Sequence, residues 1–333
     1  MNVIGYGSAE RIRPADDSPR GAFGAVVKEN RKLCTDHFRL ILSLGHFPAS
    51  VPGQFVQLDC REAGLEGADV PREFEWGEGK RAGVADADFV MPVAYLRRPF
   101  SIADRRDLGD GSVEIDIIHR VVGRGTSLLA RLEAGQSISL LGPLGIGFPV
   151  AEDLKVACLV GGGVGIPPML YLAQLVAKGT AQAVAFLGAQ RKDLLAVTLE
   201  GEAPSATGVP VMNCAELTPY RTPTVITTDD GSLGMKGYVT GALREFLKGR
   251  GDLRGTVVYC CGPTPMMKAT AKVAAEFGVA CLVSLEQPMA CGMGTCQSCI
   301  IKYKALDGPP TGDWAYKLTC THGPVFDTRD IVW

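Results

Sequence analysis

Apolar residues change their rhythm partway along this chain. Between about residues 21 and 150 they alternate with polar ones. Phe38, Leu40, Leu42 and Leu44 recur at every second position, and Val113, Ile115 and Ile117 alternate with Glu114 and Asp116. A period of two belongs to strands with one buried face. Turn signals at Pro52-Gly53 and Gly109-Asp110-Gly111 separate the runs, so this half is expected to form a small antiparallel barrel. From about 151 to 285 the runs VACLV, AVAFLGA, VVYCC and ACLVSL are short and nearly continuous, as strands buried on both faces are. Between two of them Thr264 is expected to cap a helix, with Pro265 at its first position and Gly278 at its end. The expectation is a doubly wound, mostly parallel sheet. Residues 286–333 close the chain as a third unit. Residues 1–20, polar with prolines, read as a tail. Within the barrel half, residues 61–95 hold eight acidic and four basic residues and five glycines and read as a solvated insert.

A length of 333 residues suits two or three domains. A net charge of -2 without a basic block argues against nucleic acid as a partner. Most of the eleven cysteines lie singly on apolar stretches, as Cys158 and Cys281 do, which suits buried thiols in a reducing compartment. The N-terminal residues have no apolar stretch of signal-peptide length. The longest uncharged stretch, Val156 to Ala177, is long enough to span a bilayer. Four glycines and Pro167-Pro168 interrupt it, so a strand, a turn and a helix are expected. The expectation is a soluble, cytoplasmic protein without a membrane partner.

Cys291, Cys296 and Cys299, followed by Cys320, have the Cys-x4-Cys-x2-Cys…Cys spacing of a plant-type [2Fe–2S] ligand set. Three thiolates on one loop wrap such a cluster, and a distant fourth closes it. Gly292 and Gly294 let the intervening backbone turn its N–H groups toward the sulfurs. A zinc site or a disulfide are the alternatives, but zinc sites usually combine two Cys-x2-Cys knuckles and one is present here.

Two further segments suit a dinucleotide. Gly161-Gly162-Gly163-Val164-Gly165 follows a strand and opens a helix, where N–H groups and the helix dipole favour a diphosphate; a tight strand–helix turn is the plainer reading. Cys261-Gly262-Pro263 ends a later strand, at the sheet edge where ligands bind. Cys261 is small enough to sit beside a nicotinamide, or is a core cysteine. In the barrel half, Arg97 and Arg98 offer forks for a diphosphate, and Pro99-Phe100-Ser101 an extended edge for a flat heterocycle. His119-Arg120 leads through Gly125-Thr126 into a helix-like run, another anion site. Either piece alone is compatible with an ordinary turn. The four histidines lack metal-ligand spacing, and no nucleophile arrangement or paired carboxylates stand out.

In this order the motifs resemble the ferredoxin–NADP reductase superfamily and, within it, the electron-transfer subunits of the NAD-dependent, type B dihydroorotate dehydrogenases. Gly142-Pro-Leu-Gly145, Asp229-Asp-Gly-Ser232 and Cys320-Thr-His-Gly-Pro-Val-Phe326 add to the likeness. The 61–95 insert and the long interval from Cys299 to Cys320 depart from it. The resemblance implies that Arg98, Pro99, Phe100, Ser101, Ile118, His119, Arg120, Gly125 and Thr126 hold FAD. It also implies that the four cysteines hold the cluster, and Gly162, Gly163, Gly165, Cys261, Gly262 and Pro263, read above from the residues, are expected to face NAD. It implies further a partner, an FMN-containing catalytic subunit that oxidises dihydroorotate in pyrimidine (UMP) biosynthesis, with NAD+ as final acceptor. Alternatives are a reductase serving another redox partner, such as an oxygenase or a ferredoxin, and a redox-sensing subunit whose nucleotide sites no longer turn over. NAD against NADP stays open in the residues, since Arg191 and Lys192 stand beside Asp193.

Overall fold

The computed structural model describes residues 20–60, 96–304 and 314–333. The expected tail before Arg20 and the expected 61–95 insert lie outside the described residues. Six strands close an antiparallel barrel: β1 (Gly21–Cys34), β2 (His37–Leu44), β3 (Phe55–Leu58), β4 (Arg98–Asp107), β5 (Val113–Arg120) and β6 (Ser137–Leu144), in the order β1-β2-β5-β4-β3-β6. The alternation read from the sequence fills the interior, with Leu40, Leu42, Leu44, Ile115 and Ile117 fully buried. A short helix, α1 (Arg124–Leu129), follows β5.

The opposite face of β5 is also covered. Glu114 and Asp116 alternate as a solvent face would, yet both are buried, because cations from neighbouring strands reach them. Arg39 Nε donates to Asp116 at 2.6 Å and Arg106 Nη2 at 2.5 Å. Arg106 also pairs with Glu114 at 3.3 Å and with Asp104, and Lys28 pairs with Glu114. Burial raises the pKa of Asp104 although Arg106 opposes the shift.

The second half is a seven-stranded sheet. β7 (Val156–Gly162) and β11 (Thr256–Cys261) lie at its centre, flanked by β8 (Gln182–Ala189), β9 (Thr224–Thr228) and β10 (Met235–Lys236) on one side and β12 (Ala280–Ser284) on the other. These six are parallel. Successive residues of β7 serve different cores: Ala157 and Leu159 pack with α2 (Ile166–Val176), whereas Val156, Cys158 and Val160 pack with α3 (Val239–Lys248) and α4 (Thr264–Glu276). This two-sided burial explains the continuous apolar runs. The uncharged stretch from Val156 is therefore β7, a turn and α2, and among the described residues no helix is long and apolar enough to cross a membrane. Helix α4 begins one residue earlier than expected, with Pro263 as its cap, Thr264 as its first residue and Pro265 as its second. Gly278 follows the helix in the left-handed region, φ 66°.

The C-terminal segment has two parts. β13 (Ile300–Tyr303) and β14 (Ala315–Leu318) form an antiparallel pair, followed by α5 (Thr319–His322). Then β15 (Val325–Asp327) returns to the large sheet and pairs antiparallel with β12. Barrel and sheet are joined through α2. Tyr171 Oη donates to Ser50 O at 2.8 Å and Gln174 Nε2 to Arg105 O at 3.1 Å, while Arg39 reaches Glu216 at 3.5 Å.

Replacing Asp116 with Ala would leave two guanidinium groups facing a buried site without their shared carboxylate. We expect a loss of about 3 kcal/mol in urea-induced unfolding, the scale for breaking one side of a buried pair. Glu276→Ala, which breaks the exposed Arg244–Glu276 pair, should leave the midpoint almost unchanged. A loss below about 1 kcal/mol for Asp116→Ala would mean that water screens the network as it does a surface pair.

Candidate functional site

The glycine turn and the cysteine turn meet at the centre of the sheet. β7 and β11 are neighbours, with Gly161 opposite Cys261, and strand order diverges on either side of them. This is the crevice at which open α/β sheets bind ligands. A Cβ on Gly165 would lie 2.3 Å from the backbone carbonyl of Cys261, and one on Gly162 2.4 Å from Met266 Sδ. Gly163, φ 54°, has nothing within 4 Å of such a Cβ, so the turn presents bare backbone to the space where a dinucleotide would lie. Cys261 is buried beneath it, and burial pushes its thiol pKa up. It serves as a small neutral wall. Met266 shares the site and is not legible in the motifs.

The segments expected to hold flavin lie on adjacent barrel strands. Arg98 to Ser101 begin β4, and Ile118 to Arg120 end β5. The turn Gly163–Gly165 touches β5, so the nicotinamide and flavin segments are neighbours. Arg97 and Arg98 separate in role. Arg97 is bound to the barrel, donating to Ser139 O and Oγ at 2.9 Å each, and is not a free fork. Among the described residues Arg98 donates only to the carbonyls of Leu96 and Arg97, which leaves it able to meet a diphosphate. The Thr126 hydroxyl departs from the expectation. It accepts from the N–H groups of Val122 and Gly123 at 2.9 and 3.1 Å and donates to Gly123 O. It braces the turn instead of facing an anion, and the N–H groups of Gly125 and Thr126 remain as the contribution of α1.

His119 is buried, and among the described residues neither ring nitrogen has a partner. It stacks on Phe38, with centroids 5.9 Å apart, and meets Phe100 edge-on at 5.9 Å. Burial, helped by His37, holds its pKa down at about 4, so the ring is neutral at physiological pH. A polar, uncharged ring orphaned beside Pro99-Phe100-Ser101 fits a flat heterocycle with hydrogen-bonding edges.

The four cysteines form two pairs. Cys296 N–H donates to Cys291 Sγ at 3.4 Å, and Cys320 N–H to Cys299 Sγ at 3.4 Å. Met293 N–H also points at Cys291 Sγ, at 3.4 Å. Gly292 and Gly294 have φ of 70° and 94°, the conformation that aims these N–H groups inward. Cys296 is exposed, and hydrogen bonds led by Ser298 lower its pKa to about 6, giving a thiolate ready to bind metal. Cys320 is pushed up to about 12 by burial and by the neighbouring Cys299 thiol. As thiolates, the two would need a positive centre between them. Among the described residues no three His, Cys, Asp or Glu side chains are gathered to hold a single metal ion. Thiolates in pairs, with N–H groups directed at sulfur, fit a two-iron cluster better than zinc.

The cluster loop rests on the barrel. Phe55, Leu144, Cys299 and Cys320 share one apolar cluster, and Phe55 pairs with Ser101 across β3 and β4. One strand thus separates the flavin segment from the cysteines. Gln57, two residues along β3, also lies against this loop. It was not singled out from the sequence, although an amide inside the apolar run Phe55-Val-Gln-Leu58 is a signal that could have found it.

Residues 286–332 match the iron–sulfur cluster binding domain of dihydroorotate dehydrogenase B, and residues 159–272 match an oxidoreductase NAD-binding domain. The chain is 32% identical over 309 residues to a Caldanaerobacter subterraneus subsp. tengcongensis protein named dihydroorotate dehydrogenase B (NAD(+)), electron transfer subunit; the match covers 92% of this chain and 97% of that one. A Streptococcus mutans protein of the same name is 36% identical over 266 residues, covering 79% and 89%. Among solved structures, an NADH-dependent reduced ferredoxin–NADP oxidoreductase studied for flavin-based electron bifurcation aligns with a TM-score of 0.66 at 26% identity. It covers 93% of this chain and 90% of that one.

Cys296→Ser or Cys299→Ser should abolish or severely destabilise the cluster, since oxygen is a poorer iron–sulfur ligand. Cys281→Ser and Cys158→Ser should leave it intact. Iron and sulfide analysis with electron paramagnetic resonance of the reduced protein checks this, and full retention in Cys296→Ser would remove that residue from the ligand set.

Arg98→Ala should weaken FAD retention by about 1.5–3 kcal/mol, one charge-assisted hydrogen bond. Thr126→Ala should act through the turn it braces and cost less. Flavin titration by fluorescence reads both, and equal retention in wild type and Arg98→Ala would place the diphosphate elsewhere.

Proposed function

The chain belongs to the family of electron transfer subunits of dihydroorotate dehydrogenase B, and on that premise we propose that it carries electrons from the FMN of a dihydroorotate-oxidising catalytic subunit to NAD+. The observation that carries this reading is contiguity. The glycine turn at the sheet edge touches β5, the flavin segment lies on β4 beside it, and Phe55 links Ser101 of β4 to Cys299 and Cys320. When bound, FAD supplies the exchange between the paired electrons of a hydride and the single electrons of an iron–sulfur cluster. The chain's own residues position and shield. Arg98 offers the diphosphate a fork, His119 stays neutral in an apolar wall, and the glycines admit the dinucleotide to backbone N–H groups.

NAD is favoured over NADP by one pair. Arg191, one of the two cations that follow β8, is engaged with Asp193 at 3.0 and 3.1 Å. Asp193 also accepts from Thr35 Oγ1 at 3.1 Å. A carboxylate so placed suits a free ribose hydroxyl and repels a phosphate.

The docking face we propose for the catalytic subunit is the outer face of the β13–β14 pair. It begins next to Cys299 and ends next to Cys320, and it exposes Ile300, Trp314 and Tyr316, with Lys302 Nζ 4.4 Å from the Trp314 ring centre. Exposed apolar side chains in a group mark an interaction surface. No two of the described cysteines are joined as a disulfide, in keeping with a reducing cytoplasm.

With cluster and FAD in place, the isolated chain should oxidise NADH with an artificial acceptor and show no activity on dihydroorotate. Adding the FMN-containing catalytic subunit of the same organism should create dihydroorotate-dependent NAD+ reduction, and the Cys296→Ser chain should not support it. Dihydroorotate oxidation by the isolated chain would defeat the division of labour. An inactive mixture, with tight binding to another redox protein, would favour a reductase with a different partner.

A further inference from the structure

We infer that Gln57 is a positioning residue for the iron–sulfur centre: its side-chain amide donates to a sulfur held by the Cys291 loop and raises the potential of that centre. The inference rests on the reading of the four cysteines as a cluster site. Gln57 lies in β3 between Val56 and Leu58, and its residue exposure is 1%. Its Nε2 has no hydrogen-bond partner among the described residues. Burying an amide N–H in an apolar strand is unfavourable unless the group is satisfied.

The cluster loop is where that group points. A Cβ built on Gly292 would lie 2.7 Å from Gln57 Nε2 and 2.8 Å from its Cδ. The amide therefore packs against the residue that follows Cys291 in the chain. On the other side of the loop the N–H groups of Met293 and Cys296 already face Cys291 Sγ. Gln57 supplies a further donor from the barrel side. Its backbone pairs with Pro99 of the flavin segment and with Leu141 of β6, so the side chain is held by the strand that separates the two redox sites. Only glycine at 292 lets the amide come this close.

The consequence is electrostatic. A reduced cluster carries one more negative charge than an oxidised one. An N–H directed at its sulfurs favours the reduced form and raises the potential. Gln57→Met keeps the length of the side chain and removes the donor. Redox titration of the holoprotein, followed by electron paramagnetic resonance, should then show the cluster harder to reduce by about tenfold in the one-electron equilibrium, about 59 mV. Iron, sulfide and flavin content should be retained. Gln57→Glu, which replaces the donor with a carboxylate, should shift the cluster further in the same direction. Gly292→Ala probes the contact from the loop, because its methyl group displaces the amide, and it should also lower the potential.

An unchanged cluster potential in Gln57→Met and Gln57→Glu would overturn the inference. So would a shift confined to the flavin, which would put the amide's partner on the other side of the strand. Wild-type holoprotein without iron and sulfide would instead defeat the reading of the cysteine site, a result distinct from either.

Discussion

The architecture depends on a close approach for which no side chain leaves room. The C-terminal segment must lie directly on the barrel if the cysteines are to come within one strand of the flavin segment. Glycines in the left-handed region make that contact possible. A Cβ on Gly145, φ 79°, would stand 2.6 Å from Pro324 and 2.9 Å from Phe55. One on Gly53, φ 93°, would stand 2.9 Å from both Phe148 and Val325. Ile146 N–H then donates to Gly323 O at 2.6 Å, and β15 continues into the large sheet. Barrel, cluster loop and sheet edge are thereby fixed to one another by backbone.

Ion pairs and hydrogen bonds extend the same rigidity to the second joint. Tyr171, buried on α2, reaches Ser50 in the loop before β3, and Arg39 connects Asp116 of the barrel to Glu216 beyond the sheet. A partly buried cation shared by two carboxylates contributes less to stability than its number of contacts suggests. Its contacts nonetheless tie the barrel strands β2 and β5 to Glu216, in the segment between β8 and β9.

What could be read from the sequence was what is encoded locally. The cysteine spacing, the glycine turn and the two rhythms of apolar residues each reflect neighbours along the chain, and the barrel, the parallel sheet and the strand–turn–helix stand in the structure where expected. The misreadings are long-range. Glu114 and Asp116 alternate like a solvent face, but Lys28, Arg39 and Arg106 come from other strands to cover them. Arg97 resembles Arg98 until β6 arrives with Ser139. The Thr126 hydroxyl is claimed by its own turn, a competition between side chain and backbone that motif reading overlooks. Gln57 and Met266 have no motif because their meaning comes from residues more than a hundred positions away.

Eleven cysteines in a protein that assembles an iron–sulfur centre pose a problem of selection, and thiol chemistry accounts for part of it. Iron binds thiolate, so a thiol held neutral and buried apart from the cysteine loop competes poorly, whereas Cys320, also raised, is set beside Cys299. Burial pushes Cys60 up to about 11 and Cys158 and Cys281 to about 12, and it raises Cys214, Cys260 and Cys261 as well. Cys34 is raised to about 11 by partial burial together with Asp193 and Asp36. Cys296 goes the other way, exposed and lowered to about 6 by Ser298 and the Cys291 loop. The ligand loop thus presents a thiolate at the surface while the seven remaining thiols stay protonated. Cys320, buried beside Cys299, is disfavoured as an anion until positive charge arrives.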